Sequence, residues 1–77
     1  MMKQINAVYR GMKDNKYLFE SQELRARNMS FNKANRSLID DFDLNGKKSV
    51  GQLFKLKYFI EEISDRDIYI LCDMEKA

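Results

Sequence analysis

The chain has 77 residues, 44% of them hydrophobic and 34% charged, with a net charge of +2 and no histidine. That length holds one small domain with a thin core, and the composition is that of a folded chain. Without histidine the common hydrolase triads and most zinc sites cannot be assembled, and so small a net charge is well short of that of a dedicated nucleic-acid binder.

In chain order, residues 3–10 carry Ile5, Ala7 and Tyr9 on one parity, the period of a strand. Residues 11–16 read as a turn, because Asp14 and Asn15 both tolerate positive φ and suit a hairpin. Residues 17–24 then read as the return strand. Residues 30–43 predict a helix capped by Ser30 or Asn32, with Ala34, Leu38, Ile39 and Phe42 as its apolar stripe and Asn45-Gly46 as its stop. Residues 49–63 predict a second helix. Ser49 and Gln52 have the spacing of a capping box, and Leu53, Leu56, Ile60 and Ile63 share a face. Phe54, Leu56, Tyr58 and Ile60 also alternate, so a strand competes there. Residues 65–67 turn the chain, and the apolar, β-branched residues 68–72 read as a buried strand.

The expected fold is therefore a small α+β domain of order ββααβ, a three-stranded antiparallel sheet with two helices on one face. No linker or repeat divides it, so residues 1–77 form a single domain. An exposed sheet face of this size leaves monomer and homodimer both open. Cys72 has no partner for an internal disulfide, which fits a reducing compartment, and its apolar strand suggests a buried, inert thiol. Residues 1–10 lack the continuous apolar core of a secretory signal. No apolar run approaches the roughly 18 residues that span a bilayer. The expected setting is the cytoplasm, away from membranes.

Three constellations could carry function. Arg25, Arg27, Lys33 and Arg36 occur with no acidic residue among them, interleaved with Asn28, Asn32, Asn35 and Phe31. Arginine holds phosphates, asparagine reads base edges and an exposed phenylalanine stacks on a base. The plain alternative is a solvated surface with Phe31 in the core. If residues 32–43 and 49–63 are helices, their charges oppose the macrodipole. Lys33 and Arg36 precede Asp40, Asp41 and Asp43, and Lys55 and Lys57 precede Glu61 and Glu62. A chain that forgoes that stabilisation keeps charge where a partner uses it, unless a helix assignment is wrong. Lys55 and Lys57 would extend a nucleic-acid patch.

The second constellation is Asp41, Asp43 and Asn45 with Gly46, the spacing that opens an EF-hand calcium loop. It departs from that family at Gln52, where a bidentate Glu closes the loop, and at Lys47 and Lys48. The third is a carboxylate acid/base pair among Asp40, Asp41, Asp43, Asp65 and Asp67, for which nothing in the sequence supplies a cleft.

The run Val8-Tyr9-Arg10-Gly11, then Lys13-Asp14-Asn15, then Leu18-Phe19, followed by a helix near residues 35–42, resembles small early host-takeover proteins of T4-like phages, the antitoxins of the Dmd type. The likeness covers the N-terminal half. It implies a small phage-type inhibitor that binds and blocks a host or toxin protein, and it assigns no individual residue. Taken together, the sequence points first to a non-enzymatic protein without cofactors that inhibits or regulates another protein, with Arg25, Arg27, Phe31, Lys33 and Arg36 at the interface. RNA or another nucleic acid bound by the same segment comes second, and a weak calcium module using Asp41, Asp43 and Asn45 third.

Overall fold

A computed structural model describes residues 2–21, 23 and 28–77. β1 (Lys3–Lys13) and β2 (Lys16–Ser21) form the N-terminal hairpin. Asp14 and Asn15 turn it with φ of 53° and 62°, the two left-handed residues that a type I′ turn requires. β1 is long because it serves two neighbours. Its first half, from Lys3 to Val8, pairs with β5 (Leu53–Ile63), and its second half, from Ala7 to Lys13, pairs with β2. The register slips between Tyr9 and Gly11, where Gly11 at φ 100° carries the strand through a bulge and bends it from one partner to the other.

β5 and β6 (Arg66–Lys76) form a second antiparallel hairpin, turned by Ser64 and Asp65 at φ 51° and 64°. Between the hairpins in sequence lie β3 (Asn28–Phe31), β4 (Lys33–Ala34) and α1 (Arg36–Asp41). β3 pairs antiparallel with β2, and β4 pairs parallel with β6. The strand order is β3-β2-β1-β5-β6-β4. Its first and last members are separated by Asn32 alone, so the two sheet edges meet in one bent segment. The result is a partly open barrel of five staves, with residues 28–34 as the shared one.

The period of two fills the barrel. Ile5, Ala7 and Tyr9 from β1, Tyr17 and Phe19 from β2, Phe31 from β3, and Phe54, Leu56 and Tyr58 from β5 all point inward and are buried. Rings dominate this interior: Tyr9 meets Phe19 at 4.8 Å, Phe19 meets Phe31 at 5.5 Å, and Phe31 meets Tyr58 edge-on at 5.2 Å. α1 adds Leu38 to the core, with Ile39 and Phe42 packed against it.

The α+β expectation, ββααβ with two helices on a three-stranded antiparallel sheet, is overturned. The described residues form six strand segments in one mixed sheet and a single helix of six residues. Residues 49–63 decide this, because the alternation of Phe54, Leu56 and Tyr58 with Lys55 and Lys57 outweighs the apparent cap. Ser49 Oγ instead donates to Phe42 O at 2.6 Å, and Gln52 Nε2 donates to Lys48 O at 3.0 Å, so both close the turns before β5. The predicted helix over 30–43 shrinks to Arg36–Asp41, since the residues before it are strand. Its N-cap is Asn35, not Ser30 or Asn32. Asn45-Gly46 is not its stop either: Phe42 is the C-cap and Asp43, at φ 50°, takes the left-handed conformation. The first hairpin forms, but its turn is Asp14-Asn15 alone and not residues 11–16, because β1 runs on to Lys13 and β2 starts at Lys16; the strand at 68–72 forms inside the longer β6. The expected second strand ends early, at Ser21, with Glu23 in a turn, and its residues 22 and 24 lie outside the described residues.

Tyr9 ties the interior to the long connection. Its ring is buried and its hydroxyl donates to Leu44 O at 2.5 Å. Burial, with smaller contributions from Tyr17 and Asp43, pushes its pKa from 10.0 up to about 12. The unfolded tyrosine ionises first, so the stability held by neutral Tyr9 is intact below pH 10 and is lost as pH climbs toward 12. Tyr9→Phe should cost about 1–2 kcal/mol at neutral pH, because Leu44 O loses its donor inside the core. It should also flatten the fall of the melting temperature above pH 10, which thermal melts across that range will read.

Candidate functional site

The partner switch at Asn32 leaves an opening. Beyond it β4 pairs with β6 through Lys33 opposite Ile70 and Ala34 opposite Leu71. Before it the ladder recorded for β3 runs to β2 alone. The β3 residues and the start of β6 therefore border a groove of about 480 Å³. Lys16 and Arg66 line it, each the residue immediately after a two-residue hairpin turn, and Lys3 joins them from the start of β1. Asp67 is the acidic residue in the lining, so cations outnumber anions there.

Asn28, Ser30 and Asn32 supply polar groups along the β3 side. Tyr69 and Tyr58 supply aromatic surface. Tyr69 is half-buried and its ring is held between two others: it lies near-parallel to Tyr58 at 6.2 Å and edge-on to Phe31 at 6.3 Å. Burial raises the Tyr58 pKa, with a further push from Tyr69. The site thus offers positive charge, hydrogen-bond donors and a packed aromatic ring.

Asn32 and Asn35 close the seam at the end of the groove. The Asn32 N–H donates to Tyr69 O at 2.9 Å, and its Oδ1 accepts from the Tyr69 N–H at 3.0 Å. The Asn35 N–H donates to Leu71 O at 3.1 Å, and its Nδ2 donates to Cys72 O at 2.6 Å. Side-chain amides stand in for the backbone bonds that a two-residue parallel ladder lacks.

The sequence-predicted residues are dispersed by this fold. Phe31 is fully buried in the ring cluster, where it meets protein rings edge-on and is not exposed to a partner. Lys33 is exposed on β4, and Arg36 is exposed on α1 with its Nε 3.8 Å from the Asp40 carboxylate. Arg25 and Arg27 lie outside the described residues. Lys55 and Lys57 alternate with buried Phe54, Leu56 and Tyr58, which puts them on the outer face of β5 and away from the groove. Glu75 and Asp73 stand opposite them in register, with Lys55 Nζ 3.8 Å from Glu75. Because this segment is a strand, its lysine-then-glutamate order opposes no macrodipole. α1 does keep the unfavourable order, with no acidic residue in its first turn and no basic residue in its last.

Asp41, Asp43 and Asn45 do not form an EF-hand loop, since a strand and not a second helix follows. The Asp43 carboxyl folds over Gly46, into the space a Cβ there would need. Among the described residues no three acidic, cysteine or histidine side chains group to hold a metal ion. Cys72 is half-buried, and burial followed by neighbouring Asp73 raises its pKa, the direction of an unreactive thiol. Lys3, Lys16 and Arg66 stand out as site residues only in the structure. The signal lay in Lys16 and Arg66, a cation at the same point of two hairpins, visible only once the second hairpin is recognised.

No helix among the described residues is long and apolar enough to cross a membrane. The chain matches no family model, no curated protein and no solved structure, so its site has to be read from its own residues.

Proposed function

We propose that the protein is a non-enzymatic binder of single-stranded nucleic acid, held along the groove between β3 and the start of β6. The observation that carries this reading is the lining itself: Lys3, Lys16 and Arg66 around a fixed Tyr69 ring and a row of asparagine and serine side chains. Cations that track a phosphate backbone beside a ring on which a base stacks are the shared equipment of single-strand binders. The connectivity adds to it. A five-stave Greek-key barrel with a helix before its fourth stave and a parallel closure of the third on the fifth has the layout of OB barrels. Those barrels carry oligonucleotides or oligosaccharides on the face of their second and third strands, which adjoins this groove through β3, flanked by the loops that here are the two hairpin turns. Fold analogy supports the reading, and the lining is the observation that carries it.

The reading reorders what the sequence led with. A protein partner has one surface in its favour, the depression of about 410 Å³ at the β1 bulge where Met12 and Val50 are exposed beside Gly11. That surface lacks the convergence of charge, donors and ring found in the groove.

Fluorescence anisotropy with short single-stranded RNA and DNA tests the proposal. Three groove cations predict that log K falls against log salt with a slope of about −2. Lys16→Glu with Arg66→Glu should weaken binding at least tenfold at low salt, while Lys57→Glu on the outer face leaves it within about twofold. Equal binding by wild type and the groove variant contradicts the proposal. A single protein recovered from lysate after nuclease, lost with Met12→Asp and kept with the groove variant, would favour the protein-directed reading.

A further inference from the structure

We infer that Lys13 is a further binding residue, which grips a backbone phosphate together with Lys16, so that the bound strand leaves the groove over the first hairpin and not over the second. The inference rests on the nucleic-acid reading above and names the path the strand takes.

Directly opposite residues of an antiparallel pair stand on one face of the sheet, with Cβ atoms about 5 Å apart, so unlike charges there attract and like charges repel. The outer face of β5 and β6 follows that rule, with Lys55 opposite Glu75 and Lys57 opposite Asp73. Both hairpin ends break it. Lys13 stands opposite Lys16 beside the first turn, and Glu62 stands opposite Asp67 near the second. These side chains are all exposed.

The first hairpin holds its like charges unrelieved. Arg10, on the same hairpin, is bound to Glu20 at 2.5 Å. Among the described residues no carboxylate, Asp14 of the turn included, is ion-paired with Lys13 or Lys16. The two-residue turn keeps the two backbones together, so the repulsion is built into the hairpin. A phosphate between the two ammonium groups replaces that repulsion by two attractions, and Lys16 already lines the groove. The second hairpin does the reverse. Asp67 lines the groove with Glu62 opposite it in register. Glu61, Glu62, Asp65 and Asp67 outnumber Arg66 at that end. An anionic strand is thus attracted at one end of the groove and repelled at the other.

The test reads anisotropy of oligothymidine and oligouridine of about 12 nucleotides, long enough to cover one barrel, against salt. The proteins are wild type, Lys13→Gln, Lys13→Arg and Glu62→Gln. The groove cations alone account for a slope of about −2, and Lys13 makes it about 0.7 steeper. Lys13→Gln should remove that increment and weaken binding about fivefold at low salt, while Lys13→Arg keeps both. Glu62→Gln should change affinity by less than about twofold. Thermal melts of the free proteins accompany the titrations. Lys13→Gln should melt at or above the wild-type temperature, since it removes a repulsion, so its weaker binding is not a loss of fold. Unchanged slope and affinity in Lys13→Gln, with Lys16→Glu and Arg66→Glu together still weakening binding, overturns the inference and leaves nucleic-acid binding standing. A gain in Glu62→Gln as large as the loss in Lys13→Gln places the strand over the second hairpin and overturns it as well. Melting of Lys13→Gln below wild type contradicts the built-in repulsion and overturns the argument. No binding of either oligonucleotide by wild type overturns both the inference and the reading it rests on.

Discussion

At Asn32 the backbone leaves one edge of the sheet and joins the other, and the barrel depends on that exchange. Four residues before it pair with β2, and two after it pair with β6. Without the exchange the strands would form an open, strongly twisted sheet with two bare edges and its ring-lined face in water. With it, Phe31 reaches the centre of the ring cluster and Leu38 follows onto the core from α1. The parallel ladder that closes the seam is short, and parallel pairs are slightly the weaker kind. That explains why two asparagine side chains are spent on it.

The same exchange makes the groove. A segment cannot pair on both sides at one level and also move between them, so the edges part where β3 has not yet reached β6. The type I′ turns place Lys16 and Arg66 beside that gap, and Lys3 comes with the start of β1. Charge that is modest over the whole chain is thus gathered where the backbone is least paired. The rings beneath are held by the core, so the groove has an ordered aromatic floor in the free protein.

How much of this could be read in the sequence depended on whether the signal was local. The first hairpin was legible, since Asp14-Asn15 is a common left-handed pair between alternating residues. The second was not: Ser64-Asp65 is a weaker turn pair, and the alternation before it was in competition with a helical spacing of leucine and isoleucine. Ser49 and Gln52 imitated a cap while serving turn carbonyls at Phe42 and Lys48. The asparagines at 32 and 35 were noticed as hydrogen-bonding residues, but their partners lie 37 positions away on β6, beyond any local pattern. Phe31 was weighed as a stacking residue or a core residue, and the core prevailed. Lys33 and Arg36 group in the sequence because no acidic residue separates the run Arg25, Arg27, Lys33 and Arg36, and the strand–helix break between Lys33 and Arg36 parts them.

The seam is the claim on which fold and groove both rest, and amide hydrogen exchange measures it residue by residue. The account predicts that the Asn32 and Asn35 N–H groups, bound to Tyr69 O and Leu71 O, exchange slowly, with protection comparable to that of the central β1–β5 ladder. Free exchange at Asn32 and Asn35 while that ladder stays protected would mean an open sheet in solution, and would contradict both the barrel and the site built on it.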